Sequence, residues 1–334
     1  MTEQAERMDA ARDARRLEES VGVFLDSERV IWRVTGPGAG PALHGLLTND
    51  LAGPPPGSRI LALALTPKGR PLADLAVWKR EDDILLDLPR VSAASLRAHF
   101  ARYLPPRLAR VEAEPEAAVV RLLGPATEAA LQEAGAPAEV TTPGRFGAFP
   151  GASGPLRAAP RTPEEGGGHD VVRLGPAAVA GWADLLAVVE ARGGGPIPPA
   201  AYDIWRVERG IPVYGRDFDE QNLPQETGLT ERMVSFEKGC YTGQEVVARI
   251  HYRGHVNRHL RGLRLHRGTT VSTGDPLFHG GREVGRIGSS VLSPRHGPIA
   301  LAMVRREVDP ATELSLSAAG PPGATVVPLP FTSS

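Results

Sequence analysis

Three short β-prone runs in this chain each break at a Gly-Pro pair: Ile31-Trp32-Arg33-Val34-Thr35-Gly36-Pro37, Val119-Val120-Arg121-Leu122-Leu123-Gly124-Pro125 and Val171-Val172-Arg173-Leu174-Gly175-Pro176. An Ala/Leu-rich segment follows each, ending near Gly135 for the second and near Gly193 for the third. Proline suits the first turn of a helix and glycine its C-terminal cap, so the pattern reads as one strand-turn-helix unit used three times. With hairpin signals interspersed, it predicts an α+β layer structure with helices on one face of mainly antiparallel sheets.

The segments between fit that frame. Ile60 to Leu65, a Thr66-Pro67-Lys68-Gly69 turn, Leu72 to Trp78 and Ile84 to Leu88 read as a three-stranded meander. Leu96, Phe100 and Tyr103 or Leu104 share one helical face ahead of Pro105, so an amphipathic helix is expected from Ser92 to Leu104. Residues 141–168 and 193–199 read as boundary loops. After His266 short apolar strands alternate with Gly-rich turns, the pattern of a small antiparallel barrel or sandwich.

At 334 residues the chain exceeds what one core usually serves, so two or three domains are expected. A formal charge of −1 predicts no bulk attraction to nucleic acid or membrane. The one cysteine excludes an intrachain disulfide framework and fits a reducing, cytoplasmic compartment. Residues 1–19 are a charged tail without an apolar core, neither signal peptide nor membrane helix, and read as a frayed helix or an unstructured segment. No apolar run reaches the roughly 18 residues of a membrane span.

The cysteine lies in Lys238-Gly239-Cys240-Tyr241-Thr242-Gly243-Gln244-Glu245. Thr242 and Glu245 have capping-box spacing, and Val246, Val247 and Ile250 follow at helical spacing, so a helix is expected to start at Thr242 and stop at Gly254. Cys240 would then precede a helix N-terminus with Lys238 beside it, and both lower a thiol pKa. The alternative for a lone cysteine is a small buried hydrophobe.

The octapeptide also carries a resemblance. Together with Arg206 to Gly215 (Arg-x-Glu-x-Gly-Ile-Pro-x-Tyr-Gly), Leu223 to Glu226, Gly285 to Ser290, Leu47-Thr48-Asn49-Asp50 and Lys68-Gly69-Arg70, it resembles the YgfZ family of folate-binding proteins. That family is similar to the glycine-cleavage T-protein, a tetrahydrofolate-dependent aminomethyltransferase. The resemblance implies a three-domain ring of two α+β lobes and a C-terminal antiparallel β-barrel, divided here as a folate-binding region over 20–255 and a barrel over 256–334. It also implies that Glu208 holds the pterin edge of a tetrahydrofolate or one-carbon derivative. Arg206 and Tyr214 are further cofactor-binding candidates, Tyr214 as an aromatic packed against a flat ring system, with a core residue as the alternative. A carboxylate can accept two hydrogen bonds from a pterin amino group and ring N–H; the alternative is a helix-surface glutamate.

Asp74 matches the Lys-Gly-x-x-x-x-Asp region where the T-protein places its catalytic aspartate. The T-protein usually has two adjacent acids there, whereas Ala73 precedes Asp74 in this chain. The T-protein also generally lacks a cysteine at the position of Cys240. Both departures point away from the glycine-cleavage enzyme, toward a YgfZ-like factor supporting iron-sulfur cluster assembly or repair in client enzymes, tRNA-modifying enzymes among them. Cys240, Lys238 and Asp74 are its candidate catalytic residues. One cysteine cannot itself hold a cluster, so such a role would be assistance to other proteins. Aminomethyl transfer is the alternative. Arg249, Arg253, Arg258, Arg261, Arg264 and Arg267 form a basic run with four histidines and no acid. Arg249 and Arg258 in it are candidates for a folate polyglutamate tail; tRNA phosphates, an acidic partner surface or a solvated face are the other readings, and no metal site is expected.

Overall fold

The first Gly-Pro unit folds as a strand, Arg29–Thr35, and a helix, Ala39–Leu46. The second gives strand Ala118–Leu123 and helix Thr127–Glu133, the third strand His169–Arg173 and helix Ala183–Ala191. The computed structural model describes residues 3–151, 154–175 and 182–332, so Pro176 of the third pair lies outside the described residues. Gly124 turns at φ +105°, and a Cβ there would stand 2.2 Å from the Ser20 carbonyl oxygen, so conformation and space both demand glycine. Gly135 and Gly193 follow their helices in the left-handed region, at φ +83° and +74°.

By compactness the chain divides into two units, one of residues 15–198 and 231–244, the other of residues 1–14, 199–230 and 245–334. The first contains two sheets. In one, the strands run Ser58–Leu65, Pro71–Lys79, Ile84–Pro89, Arg29–Thr35 and Arg110–Glu114 in spatial order, all antiparallel. The expected meander forms its first three strands. Helices Ala39–Leu46 and Ala93–Tyr103 cover one face, seating Leu43, Leu46, Leu96 and Phe100 on Trp32, Leu75, Val77 and Leu86. In the other sheet the order is Gly195–Pro196, Gly22–Leu25, Ala118–Leu123, His169–Arg173, Leu156–Pro160 and Gly147–Phe149, and the helices after the second and third Gly-Pro turns cover one face. Residues 141–168, expected as a loop, thus supply two strands, and 195–196 supply a third. These strands are too short and too broken by Gly and Pro for a period-two signal.

The faces left uncovered by helices meet. Ile31, Ala76, Trp78 and Leu85 of the five-stranded sheet pack on Val119, Ala159 and Val172 of the six-stranded sheet. Beside this apolar patch lies a buried charged layer. Asp170, fully buried, accepts from Arg59, from Arg121 at 2.8 Å and from Arg161 at 2.8 Å. Arg59 also grips Glu165 at 3.0 and 2.7 Å, and Arg121 binds Asp26 at 2.8 Å. Burial opposes ionisation of Asp170, yet Arg161, Arg121 and Arg59 together hold its carboxyl far below the usual range.

The second unit carries the closed barrel. Its strands, in spatial order, are Arg258–Leu265, Gly297–Arg305, Arg282–Ser293, Pro276–His279, Glu313–Ser315 and Pro322–Val327, all paired antiparallel around a core that includes Leu263, Leu277, Ile287, Ala302, Leu314 and Val326. Helix Pro199–Glu208 lies on the outer wall, with Val207 against Ile299 and Leu301. The charged amino terminus is a helix, Glu3–Glu19, not an unstructured tail. Among the described residues no helix is long and apolar enough to cross a membrane.

Asp170→Asn removes the anion that three guanidinium groups share, and the fold is expected to lose about 3–5 kcal/mol in chemical denaturation. Because the native carboxyl is depressed, its contribution is fully present above the unfolded value of about 4 and fades as pH falls toward the folded one. The variant should therefore lack that acid-dependent component in a pH series of unfolding midpoints.

Candidate active site

The octapeptide belongs to a strap, residues 231–244, laid on the five-stranded lobe. Thr48 Oγ1 donates to the Met233 carbonyl at 2.6 Å, Asn49 Nδ2 to the carbonyls of Leu61 at 2.8 Å and Arg232 at 3.2 Å, and the Ser235 amide to Thr48 O at 3.0 Å. Lys238 fixes the strap more tightly. Its ammonium donates to the carbonyls of His44, of Leu47 at 2.8 Å and of Asn49 at 3.1 Å, and sits 5.2 Å from the centre of the Tyr241 ring. Helix Ala39–Leu46 ends at this point, so the lysine satisfies carbonyls that a helix terminus leaves open and opposes the negative end of its dipole. Burial pushes the ammonium down to about 8, with Asp50 pulling the other way.

Gly243 turns at φ +83°, and a Cβ there would stand 2.6 Å from Thr66 O and 3.1 Å from the Gly69 Cα, so conformation and space both demand glycine. The helix begins at Gln244 and runs to Arg253, two residues later than the Thr242 start expected from the capping-box spacing. Cys240 is exposed and free, four residues ahead of the helix, so it is not the buried hydrophobe of the alternative reading. The three N–H donors of Lys238 are turned to the helix end.

Asp74 lies in strand Pro71–Lys79 with its side chain 20% exposed. Its Oδ2 accepts from Arg29 Nη1 at 2.7 Å, while Oδ1 is buried and has no hydrogen-bond partner among the described residues. Arg29 is itself held by Asp87, whose Oδ1 accepts from Nε at 2.6 Å and whose carbonyl accepts from Nη2 at 2.9 Å. Arg232 of the strap is close enough for the Asp74 charge to bear on its guanidinium, which burial pushes down. Asp74, Lys238 and Cys240 thus fall in one unit, with Lys238 and Cys240 on the strap and Asp74 on the sheet.

Glu208, Arg206, Tyr214, Arg249 and Arg258 fall in the other. Glu208 ends its helix almost fully buried; Oε1 accepts from Ser293 Oγ at 2.5 Å and Oε2 from Arg295 Nη2 at 2.8 Å. It is not a helix-surface glutamate. Arg206 is completely buried and donates to Asp203 at 2.6 Å, Asp217 at 3.0 Å, Ile211 O at 3.1 Å and Ser289 Oγ at 2.6 Å. A Cβ at Gly288 would meet Asp217 Oδ1 at 2.5 Å, which explains the glycine in the Gly285 to Ser290 string. Tyr214 is core, edge-on to Phe218 at 5.4 Å. Arg249 is exposed on helix Gln244–Arg253, and Arg258 donates to Gln221 O at 3.1 Å and approaches Glu226 at 3.5 Å. The basic run is therefore divided between a helix and a barrel strand.

Comparison with known proteins agrees with this architecture. Residues 3–149 match the GCVT N-terminal domain, and residues 258–332 match the glycine cleavage T-protein C-terminal barrel domain. An aminomethyltransferase of Parafrankia sp. is 30% identical over 94% of this chain and 87% of its own length. The chain belongs to the aminomethyltransferase family. The glycine cleavage system aminomethyltransferase T of Bartonella henselae superposes with a TM-score of 0.82 over 97% of this chain and 90% of its own; at 24% identity that likeness establishes the fold. Human iron-sulfur cluster assembly factor IBA57 is 32% identical over 71% of this chain and 64% of its own length.

These relatives correct the functional expectation. Several proteins that match most of both chains are named aminomethyltransferase, which overturns the iron-sulfur maintenance factor as the leading reading. The departures at Cys240 and Ala73 that favoured the YgfZ-like factor are two positions, whereas the shared framework extends along most of the chain. Sequence reasoning does not find Arg29, Arg232 and Arg295 as neighbours of the two carboxylates; no local signal marks them, since each reaches its acid from a distant segment.

Lys238→Met leaves carbonyls at a helix end without their donor and is expected to destabilise the fold by about 1–3 kcal/mol. Cys240→Ala, at an exposed position, should change stability by no more than about 0.5 kcal/mol. Urea titrations of the two variants beside wild type check both.

Proposed function

We propose that the protein is a tetrahydrofolate-dependent aminomethyltransferase, with Asp74 as its acid-base residue. Two features support the reading: family membership along most of the chain, and a carboxylate oxygen, Asp74 Oδ1, that is buried yet unpartnered. A buried acceptor without a donor is costly unless something supplies one, and a substrate or folate N–H is of the right chemistry. Tetrahydrofolate, when bound, supplies a nitrogen that takes up the one-carbon unit. Asp74 serves by accepting or returning a proton there, for which a carboxyl with one oxygen held by Arg29 and the other without a donor is suited. Glu208 is the carboxylate proposed for the pterin edge; Ser293 and Arg295 occupy one lone pair on each oxygen and leave others for the pterin donors.

Cys240 has no part in this proton transfer. Lys238 acts by holding the strap. Purified protein given tetrahydrofolate and an aminomethylated lipoyl carrier is expected to release ammonia and form methylene-tetrahydrofolate. Asp74→Asn should lower kcat by about 10²- to 10⁴-fold while the protein stays folded. Absence of turnover by wild type would reject the reading.

A further inference from the structure

We propose that Arg29 is a positioning residue for Asp74, fixing which carboxylate oxygen faces the chemistry. The inference rests on the aminomethyltransferase reading of Asp74 and adds to it a residue from a different strand. Arg29 stands in strand Arg29–Thr35, and strand Ile84–Pro89 separates it from the strand that carries Asp74. To reach across, its guanidinium is braced on the intervening strand: Nε and Nη2 donate to the Oδ1 and the carbonyl of Asp87 at 2.6 and 2.9 Å. The remaining nitrogen, Nη1, donates to Asp74 Oδ2 at 2.7 Å, and Nη2 also approaches the Asp74 carbonyl at 3.4 Å.

An aspartate carboxylate ordinarily turns about its last bond and presents its two oxygens interchangeably. Here the planar fork is fixed on Asp87, so the oxygen it grips is defined, and Oδ1 is the oxygen left without a donor among the described residues. A lysine at position 29 could offer charge but could not brace on two Asp87 oxygens and hold Asp74 in the same plane. The charged groups bearing on this arrangement are Asp87 in the same sheet, Arg121 from the facing sheet, which acts on both Arg29 and Asp87, Asp170 from that same facing sheet, which acts on Asp87, and Arg232 from the strap, which feels Asp74.

The test compares wild type with Arg29→Gln and Arg29→Lys, each first shown to be folded by its circular dichroism and melting profile. Steady-state kinetics should show kcat lowered about 10- to 100-fold in Arg29→Gln with KM for tetrahydrofolate within about twofold, since an effect on a proton-transfer residue falls on kcat. Arg29→Lys should leave kcat depressed, because an ammonium cannot brace on Asp87 and hold the Asp74 carboxylate in one plane. An unchanged kcat in Arg29→Gln, or a kcat loss matched by an equal rise in KM, overturns the proposal.

A second readout does not depend on turnover. In a crystal structure of Arg29→Gln the Asp74 carboxylate should be turned about its last bond or divided between orientations, whereas wild type holds one. If wild type is inactive but the carboxylate turns, the functional reading fails and the positioning contact stands. If wild type is active and the carboxylate keeps its orientation in Arg29→Gln, Arg29 does not position Asp74. Should Arg29→Gln not fold, Arg29→Lys carries the decision: kcat equal to wild type overturns the proposal.

Discussion

Asp170 meets three guanidinium groups in the layer where two sheets face one another, and the geometry of the larger unit depends on that junction. Apolar contact supplies the favourable free energy there, through Ile31, Ala76, Trp78 and Leu85 on one side and Val119, Ala159 and Val172 on the other. Apolar surfaces tolerate sliding; a buried carboxylate shared by three arginines does not, because any displacement strands a charge in a medium that cannot solvate it. Arg59 is the member that crosses, reaching from the five-stranded sheet to Asp170 and Glu165. The charges thus specify how the two sheets meet, which the apolar patch alone would not.

The same layer extends to the candidate acid. Asp87 is buried, and burial pushes its carboxyl up against the pull of Arg29 and Arg121. Arg29 is therefore committed to Asp87 before it offers its last nitrogen to Asp74, and Asp74 stands at the partly exposed margin of that layer. Lys238 does analogous work for the strap. It caps the helix that follows the first Gly-Pro turn, so the position of the octapeptide is tied to a supersecondary unit 194 residues earlier in the chain.

The repeated Gly-Pro pattern made the lobes legible, because Gly36 and Gly124 sit in backbone conformations that glycine favours and the helices after them carry apolar stripes. The meander and the barrel were legible from strand spacing for the same reason: their signals are local. What the sequence did not show was non-local. Nothing near position 74 announces that residue 29 will arrive from two strands away, and nothing near Lys238 announces carbonyls at 44, 47 and 49. The edge strands Gly147–Phe149 and Leu156–Pro160 owe their conformation to the sheet they join, so tertiary pairing overrode a segment whose composition read as loop. Lys238 and Gly243 of the octapeptide are likewise placed by what they touch, a helix end and a turn, and neither contact involves the thiol.

The two carboxylates singled out by resemblance end in opposite states. Each oxygen of Glu208 already has a donor, from Ser293 and from Arg295, so a further hydrogen-bonding ligand would have to share existing acceptors. Asp74 keeps one oxygen buried with no hydrogen-bond partner among the described residues. A carboxylate that binds a neutral donor edge benefits when its charge is already balanced, as Arg295 balances Glu208, because recognition can then rest on geometry. A carboxylate that exchanges a proton needs the reverse: one oxygen open, the other held so that the open one stays in place. Ala73 removes a neighbouring acid from this arrangement, and Arg29 stands where orientation must come from instead. The missing acid is therefore compatible with acid-base work at Asp74, provided that its orientation comes from a guanidinium.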